Sequence, residues 1–407
     1  MKKLAVQIPT YKHPDTMNTV LERQMPVFSE LGIDVYIYDS SPDRLTKYVV
    51  DRYIKMFPEK IFYCRVSPTL QLERKIVSIL AGNGLEDDYE YFWPCKDRAL
   101  FGKDDIVWLL NKLSEQRPDL LVMIPRGYNP SLPKKTIVNI SPEDLYRNYP
   151  NAATSIDASI YRRDSLLADV SVPKRDYTPD DHILNFPHYK IMLESLDKMK
   201  SPKITVLRGV DWNEVPTPSG WEKDIFKVWI DQWLDLNDNL PDRYKKYEDE
   251  SVKRTVNHPA TFGGIRRITN LNGADILTEE KFAPYRKKWH RVSNIPLDYM
   301  DKIMRHDVLS IYGLRTGNDY VDALINICQR TEDGSLEVKN IQWNAIKDGI
   351  LDYIRALKYP EVNSYYAEWI NDYKSGIVRD LFNEIIDTEL SLEDLRELLT
   401  RIIVTVI

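Results

Sequence analysis

The sequence predicts an α/β fold, a mostly parallel sheet flanked by helices, followed by a C-terminal, mainly helical domain. Three observations carry this. Short apolar runs end one after another in polar loops, an amphipathic stretch separates the first two runs, and beyond residue 220 the apolar residues recur at helical rather than strand spacing.

The first run, Leu4-Ala5-Val6-Gln7-Ile8, stops at Pro9-Thr10-Tyr11, and a second, Ile33 to Tyr38, stops at Asp39-Ser40-Ser41. Between them Thr16 to Leu31 places Met17, Val20, Leu21, Met25, Val27, Phe28 and Leu31 at helical spacing, so the opening unit reads β-α-β. A third run, Tyr89 to Trp93, breaks at Pro94 and delivers Cys95-Lys96-Asp97-Arg98. Right-handed crossovers put the C-terminal ends of parallel strands on one edge, where open α/β sheets bind ligands. A hydroxyl at Thr10, a carboxylate at Asp39 and an acid between two cations at 96–98 therefore converge there. Asp39 and Asp97 also suit plain turn capping, as short acids after strands often do.

Asp104 to Gln116 reads as a helix and Leu120 to Ile124 as a buried strand. A helix start at Ser141-Pro142-Glu143-Asp144 follows, then a strand around Ala158 to Arg163. An acidic loop, Arg175 to His182, leads into a helical run through Leu196, and Lys203 to Leu207 is the last strand. Pro216 and Pro218 with Ser219-Gly220 form the clearest break, dividing the chain into domains at 1–215 and 216–407. In the second, Trp221, Ile225, Val228, Trp229 and Trp233 share one helical face, which reads as core. The final helix, Ser391 to Ile407, carries a capping-box spacing at Ser391 and Asp394 and an apolar stripe from Leu392 to Val406. Packing within its own domain is the first reading of that stripe, and homo-oligomerisation through the helical domain the second.

A chain of 407 residues, 43% hydrophobic, is long enough for two cores. A formal net charge of -6 argues against general nucleic-acid binding, which needs a basic field. Three cysteines, Cys64, Cys95 and Cys328, give neither a disulfide framework nor a zinc site. No run approaches the roughly 20 apolar residues of a membrane span, and the N-terminus lacks a signal-peptide pattern, so a soluble cytoplasmic protein is expected.

The residues Ile8-Pro9-Thr10-Tyr11-Lys12-His13-Pro14, Tyr38-Asp39-Ser40-Ser41-Pro42-Asp43 and Glu73-Arg74-Lys75 resemble the opening motifs of the family 2 glycosyltransferases with the GT-A fold, over about the first 200 residues. The resemblance implies a UDP-sugar donor held at Pro9, Thr10, Tyr11, Asp39, Arg74, Lys75, Lys96, Asp97 and Arg98, with Asp39 accepting from the ring N–H of the base. It also implies a divalent cation, Mn²⁺ or Mg²⁺, at the third loop. The family presents two acids around one residue there, whereas this chain has Cys95-Lys96-Asp97. Asp97 then holds the ion with water and the diphosphate, or Lys96 and Arg98 supply the positive charge directly.

By the same resemblance, the base that removes the acceptor hydroxyl's proton is the second of two adjacent acids at a helix start. Asp180-Asp181 matches, with Asp181 as base; Asp180 also fits a helix-capping role. The implied activity is an inverting transfer of a sugar from a UDP-linked donor to a hydroxyl of a glycan or glycoprotein. The alternative is a nucleotide-sugar-binding or assembly subunit without catalysis. A nucleotidyltransferase fits less well, since no glycine-rich phosphate loop follows the first strand. His182 and His188 read as structural histidines, and Trp93 and Tyr11 as packing or stacking residues.

Overall fold

A computed structural model describes residues 2–70, 72–85, 88–126, 134–168, 186–215, 224–256, 278–293, 318–332, 338–357 and 364–406, together with residues 297, 300, 301, 334 and 336. Two compact units are present, one made of Met1–Arg126, Leu132–Gly220 and Gln232–Ser251, the other of Gly127–Ser131, Trp221–Asp231 and Val252–Ile407.

The first unit is α/β. Its strands and helices run β1 (Lys2–Thr10), α1 (Pro14–Glu30), β2 (Asp34–Asp39), α2 (Leu45–Met56), β3 (Ile61–Arg65), α3 (Leu72–Leu80), β4 (Tyr89–Pro94), β5 (Ala99–Phe101), α4 (Lys103–Glu115), β6 (Leu120–Pro125), β7 (Lys135–Val138), α5 (Pro142–Asn148), α6 (Pro150–Ala153), β8 (Ser159–Arg162), α7 (Pro187–Lys198), β9 (Ile204–Val210) and β10 (Trp212–Glu214). Eight strands form one sheet in the order β3-β2-β1-β4-β8-β6-β9-β7, and β10 pairs with β5 in a separate ribbon. Strands β1 to β4 are mutually parallel and β6 is parallel to β9. β8 lies antiparallel between β4 and β6, and β7 antiparallel to β9. All six residues of both β2 and β4 are buried, as expected for central strands covered on both faces.

The order contains a switch point. From β1 the chain moves outward to β2 and β3, then returns to place β4 on the other side of β1. Connections leaving β1 and entering β4 therefore diverge, and a crevice opens at the C-terminal ends of those two strands. Helix α1 starts at that edge, with Pro14 in its first turn where no backbone N–H is needed, and buries Met17, Val20, Leu21, Met25 and Phe28 against the sheet.

Three features go beyond the sequence reading. The short run Ile61–Arg65 forms a fourth parallel strand, so four loops rather than three reach the common edge. The strand near Ala158 to Arg163 is antiparallel, so the right-handed alternation stops at β8. The first unit also extends past residue 215 and includes the segment 232–251. There the Trp233 ring packs at a tilt against Tyr189, centroids 5.4 Å apart, the Tyr146 hydroxyl donates to Asn237 at 2.8 Å, and the Tyr244 hydroxyl donates to the Leu193 carbonyl at 2.9 Å. Aromatic burial outweighs the proline break upstream as a boundary signal.

The second unit contains a helical core built from Asp319–Glu332, Trp343–Ala356, Ser364–Asp387 and Leu392–Val406. Leu395, Leu398, Leu399, Ile402, Ile403 and Val406 are all buried in it, so the terminal stripe packs within its own domain. The Ser391 hydroxyl accepts from the Asp394 N–H at 3.1 Å, the expected N-terminal cap. Among the described residues no helix is long and apolar enough to cross a membrane.

At the opposite end of the sheet from the crevice, Asp34 is fully buried and takes Lys2 at 2.7 Å, Lys60 at 2.9 Å and the Tyr89 hydroxyl at 2.7 Å. Burial pushes its carboxyl up, but the hydrogen bonds from Lys2, Lys60 and Tyr89 outweigh that and hold it below the usual 3.8. The stabilisation is complete above pH 3.8 and is lost as pH falls through the lower folded value. Both lysine heads are partly exposed and rehydrate when the charge is removed. Asp34→Asn is therefore expected to cost about 1–2 kcal/mol, read as a lower urea midpoint at pH 7, with the gap to wild type closing on acidification.

Candidate functional site

The loop after β1 turns sharply at Lys12, which sits in the left-handed region at φ +56 and donates its backbone N–H to the Ser41 hydroxyl at 2.8 Å. That bond ties the β1 loop to the β2 loop. The turn directs His13, the residue before α1, toward the β4 loop. There the Thr10 hydroxyl donates to Asp97 Oδ2 at 2.8 Å, and His13 Nδ1 lies 2.9 Å from the same oxygen. The hydrogen bond with Asp97 raises the His13 pKa above its usual 6.5. Loops from β1, β2 and β4 thus meet at the switch point.

Lys75, on α3, is buried beneath them. Its ammonium donates to the Thr10 carbonyl at 3.0 Å and the Ser40 hydroxyl at 2.5 Å. Burial lowers its pKa to about 8, against the attraction of Asp97 and Asp39. Asp39, at the end of β2, is fully buried. Its Oδ1 accepts the Ser41 N–H at 2.7 Å, while Oδ2 accepts the Tyr63 hydroxyl at 2.7 Å and Arg65 at 3.2 Å. Each carboxylate oxygen accepts about two hydrogen bonds, so Oδ1 keeps capacity for one further donor.

Thr10, Asp39, Lys75 and Asp97 are therefore brought together as the sequence suggested. Pro9 lies within β1, one residue before its end at Thr10, and Tyr11 is exposed with Lys12 over its ring at 5.2 Å. Arg74 is half-buried beside Lys75 on α3. Lys96 and Arg98 are both ion-paired within the first unit. Both clasp Glu214 of β10, Lys96 at 2.6 Å and Arg98 at 2.8 Å, and Lys96 also faces the buried Asp157 at 3.5 Å. Opposite charges within reach hold them there. Asp180, Asp181 and His182 lie outside the described residues.

His188 is buried, with Nε2 3.0 Å from the Thr154 carbonyl. Burial lowers its pKa to about 4, so the ring is neutral and structural at pH 7.

Sequence reasoning assigned no role to His13, Ser40, Tyr63, Arg65, Asp157 or Glu214. Arg65 ends β3, a strand too short and too little buried to be read from the sequence. Glu214 carried no signal, because its partners are more than 100 residues away.

The residues around Asp97 were tested against the divalent cation that the motif resemblance implies. Cys95, in the position of the first acid, is buried, and burial pushes its thiol well above the usual range. A neutral thiol is a poor ligand for a hard cation. Among the described residues no group of three or more His, Cys, Asp or Glu side chains is placed to hold a metal ion. Asp97 has two donors on one oxygen and cations at Lys75 and Arg98 within electrostatic reach of the Asp97–His13 pair. This set does not fit a resident divalent ion.

No protein-family model matches the chain, and no curated protein matches it. Among solved structures the chain is similar to TarS of S. aureus, at 15% identity and a TM-score of 0.42, over 75% of this chain and 54% of that one, about half its length. It is similar to TarS 1-349 in complex with UDP-GlcNAc at 13% identity and a TM-score of 0.41, over 94% and 92% of the two chains. It is also similar to the mannosyltransferase PcManGT from Pyrobaculum calidifontis, in complex with GDP-Man and Mn²⁺, at 12% identity and a TM-score of 0.40, over 75% and 87%.

Proposed function

We propose that the protein is a GT-A-like, nucleotide-sugar-dependent glycosyltransferase that moves a sugar from a UDP-linked donor to a hydroxyl of a glycan or glycoprotein, with inversion. The observation that carries this reading is the meeting of Thr10, Asp39, Lys75 and Asp97 at the C-terminal edge of β1, β2 and β4. The free capacity of Asp39 Oδ1 suits the ring N–H of a uracil. Tyr63 and Arg65 fix the carboxylate's orientation, which makes it a pre-set acceptor rather than a mobile one.

The chemistry that this reading requires is a single displacement. The acceptor oxygen forms a bond to the anomeric carbon as the bond to the β-phosphate oxygen breaks. The electron pair leaves on UDP, and the acceptor proton passes to Asp181. Cationic donors aimed at the leaving diphosphate stabilise the charge that develops on it.

A second reading, a nucleotide-sugar-binding subunit without turnover, is favoured by the buried Cys95 at the first acid position. Incubating the full chain with UDP-sugars and a panel of glycan acceptors, while following UDP release, separates the two. Acceptor-dependent release is expected. UDP binding by calorimetry with no release on any pair would replace the first reading by the second.

A further inference from the structure

Resting on the glycosyltransferase reading, we propose that side-chain cations receive the donor diphosphate, with His13 in the place where the motif resemblance puts a divalent ion and Asp97 orienting His13 rather than ligating metal.

Charge gives the first argument. Two acids and one divalent ion sum to zero before the donor arrives. Here one acid is missing, and the Lys75 ammonium lies within electrostatic reach of Asp97, so the loop has less negative charge to hold a divalent ion and a cation already in place for a diphosphate. A divalent ion added beside Asp97 would be repelled by the Lys75 ammonium, in a partly buried setting where screening is weak.

Geometry gives the second. His13 Nδ1 and the Thr10 hydroxyl share Asp97 Oδ2, so the imidazole is held by its inner nitrogen while its side chain stays partly exposed. An imidazole fixed through one nitrogen to a carboxylate presents the other in a set direction. The left-handed turn at Lys12, tied to Ser41, fixes the backbone that carries the ring. Lys96 and Arg98, the cations of this loop, are held by Glu214, while His13 is hydrogen-bonded to Asp97 and Lys75 lies within its electrostatic reach.

The test is calorimetric titration of UDP and of uridine into the full chain, first in EDTA and then in excess Mn²⁺. The UDP dissociation constant is expected to differ by less than about threefold between the two buffers. His13→Ala is expected to weaken UDP by roughly tenfold or more and uridine by less than about threefold, because only UDP carries the diphosphate, and His13→Arg to restore most of the loss. Asp97→Asn should weaken UDP by the same factor in both buffers. Mn²⁺ strengthening UDP binding by about tenfold or more, with Asp97→Asn erasing that gain, would overturn the proposal. So would unchanged UDP affinity in a folded His13→Ala. If His13→Ala fails to fold, the wild-type comparison of EDTA with Mn²⁺ still decides. Failure of wild type to bind either UDP or uridine would remove the glycosyltransferase reading itself, and this inference with it.

Discussion

Asp181→Asn is expected to lower turnover by roughly a hundred- to ten-thousand-fold while UDP affinity stays within about threefold of wild type. The amide occupies the same space as the carboxylate and cannot accept the proton that the acceptor hydroxyl must shed. Its effect therefore falls on the chemical step, not on donor binding. Asp180→Asn is the control, because this reading gives the neighbouring acid no part in the proton transfer, so its loss costs little turnover. UDP release with saturating donor and calorimetry with UDP read the two quantities separately. Unchanged turnover in Asp181→Asn would transfer the base to another residue.

Lys75→Met is expected to weaken UDP binding by roughly thirty- to a hundred-fold with the fold intact. Methionine fills a similar volume, and removing a buried charge in favour of an apolar group is often neutral or stabilising. The Thr10 carbonyl keeps the Ser40 N–H at 3.2 Å when the ammonium is gone, so no backbone acceptor is stranded. Stability supplies a second readout with a definite sign. In the folded chain Lys75 titrates near 8, against 10.5 when unfolded. Between those values the unfolded chain holds the extra proton, so stability contributed at this site rises with pH. The wild-type minus variant difference should climb from pH 8 to 10.5 and be flat below. UDP affinity in wild type should fall as pH rises through 8, because the bound diphosphate needs the charged ammonium. A variant that binds UDP as wild type does, at all pH values, would remove Lys75 from the donor site.

Much of the first unit was legible because its signals are local. The apolar runs at β1, β2 and β4 are long and sharply ended, and the α1 stripe is periodic over several turns. Their order alone implied that Thr10, Asp39 and Asp97 share an edge, and the 2.8 Å contact between Thr10 and Asp97 follows from that topology. β3 escaped because Ile61–Arg65 is five residues long and only its first residue is buried. The reversed direction of β8 was not legible either, since a short apolar strand carries the same residues whichever way it pairs.

Charge partners divide in the same way. Composition and pattern determined an α/β unit, a helical C-terminal region and an edge bearing Thr10, Asp39 and Asp97. Tertiary structure alone decided which charges pair with which. Lys96 and Arg98 stand beside Asp97 in sequence yet are drawn to Glu214, 118 residues from Lys96, whereas His13, 84 residues from Asp97, is bonded to it. Hydrophobic period is written along the chain and is read from neighbours. Ion pairing depends on distance in space, which only the completed sheet, with its switch point between β1 and β4, brings into being.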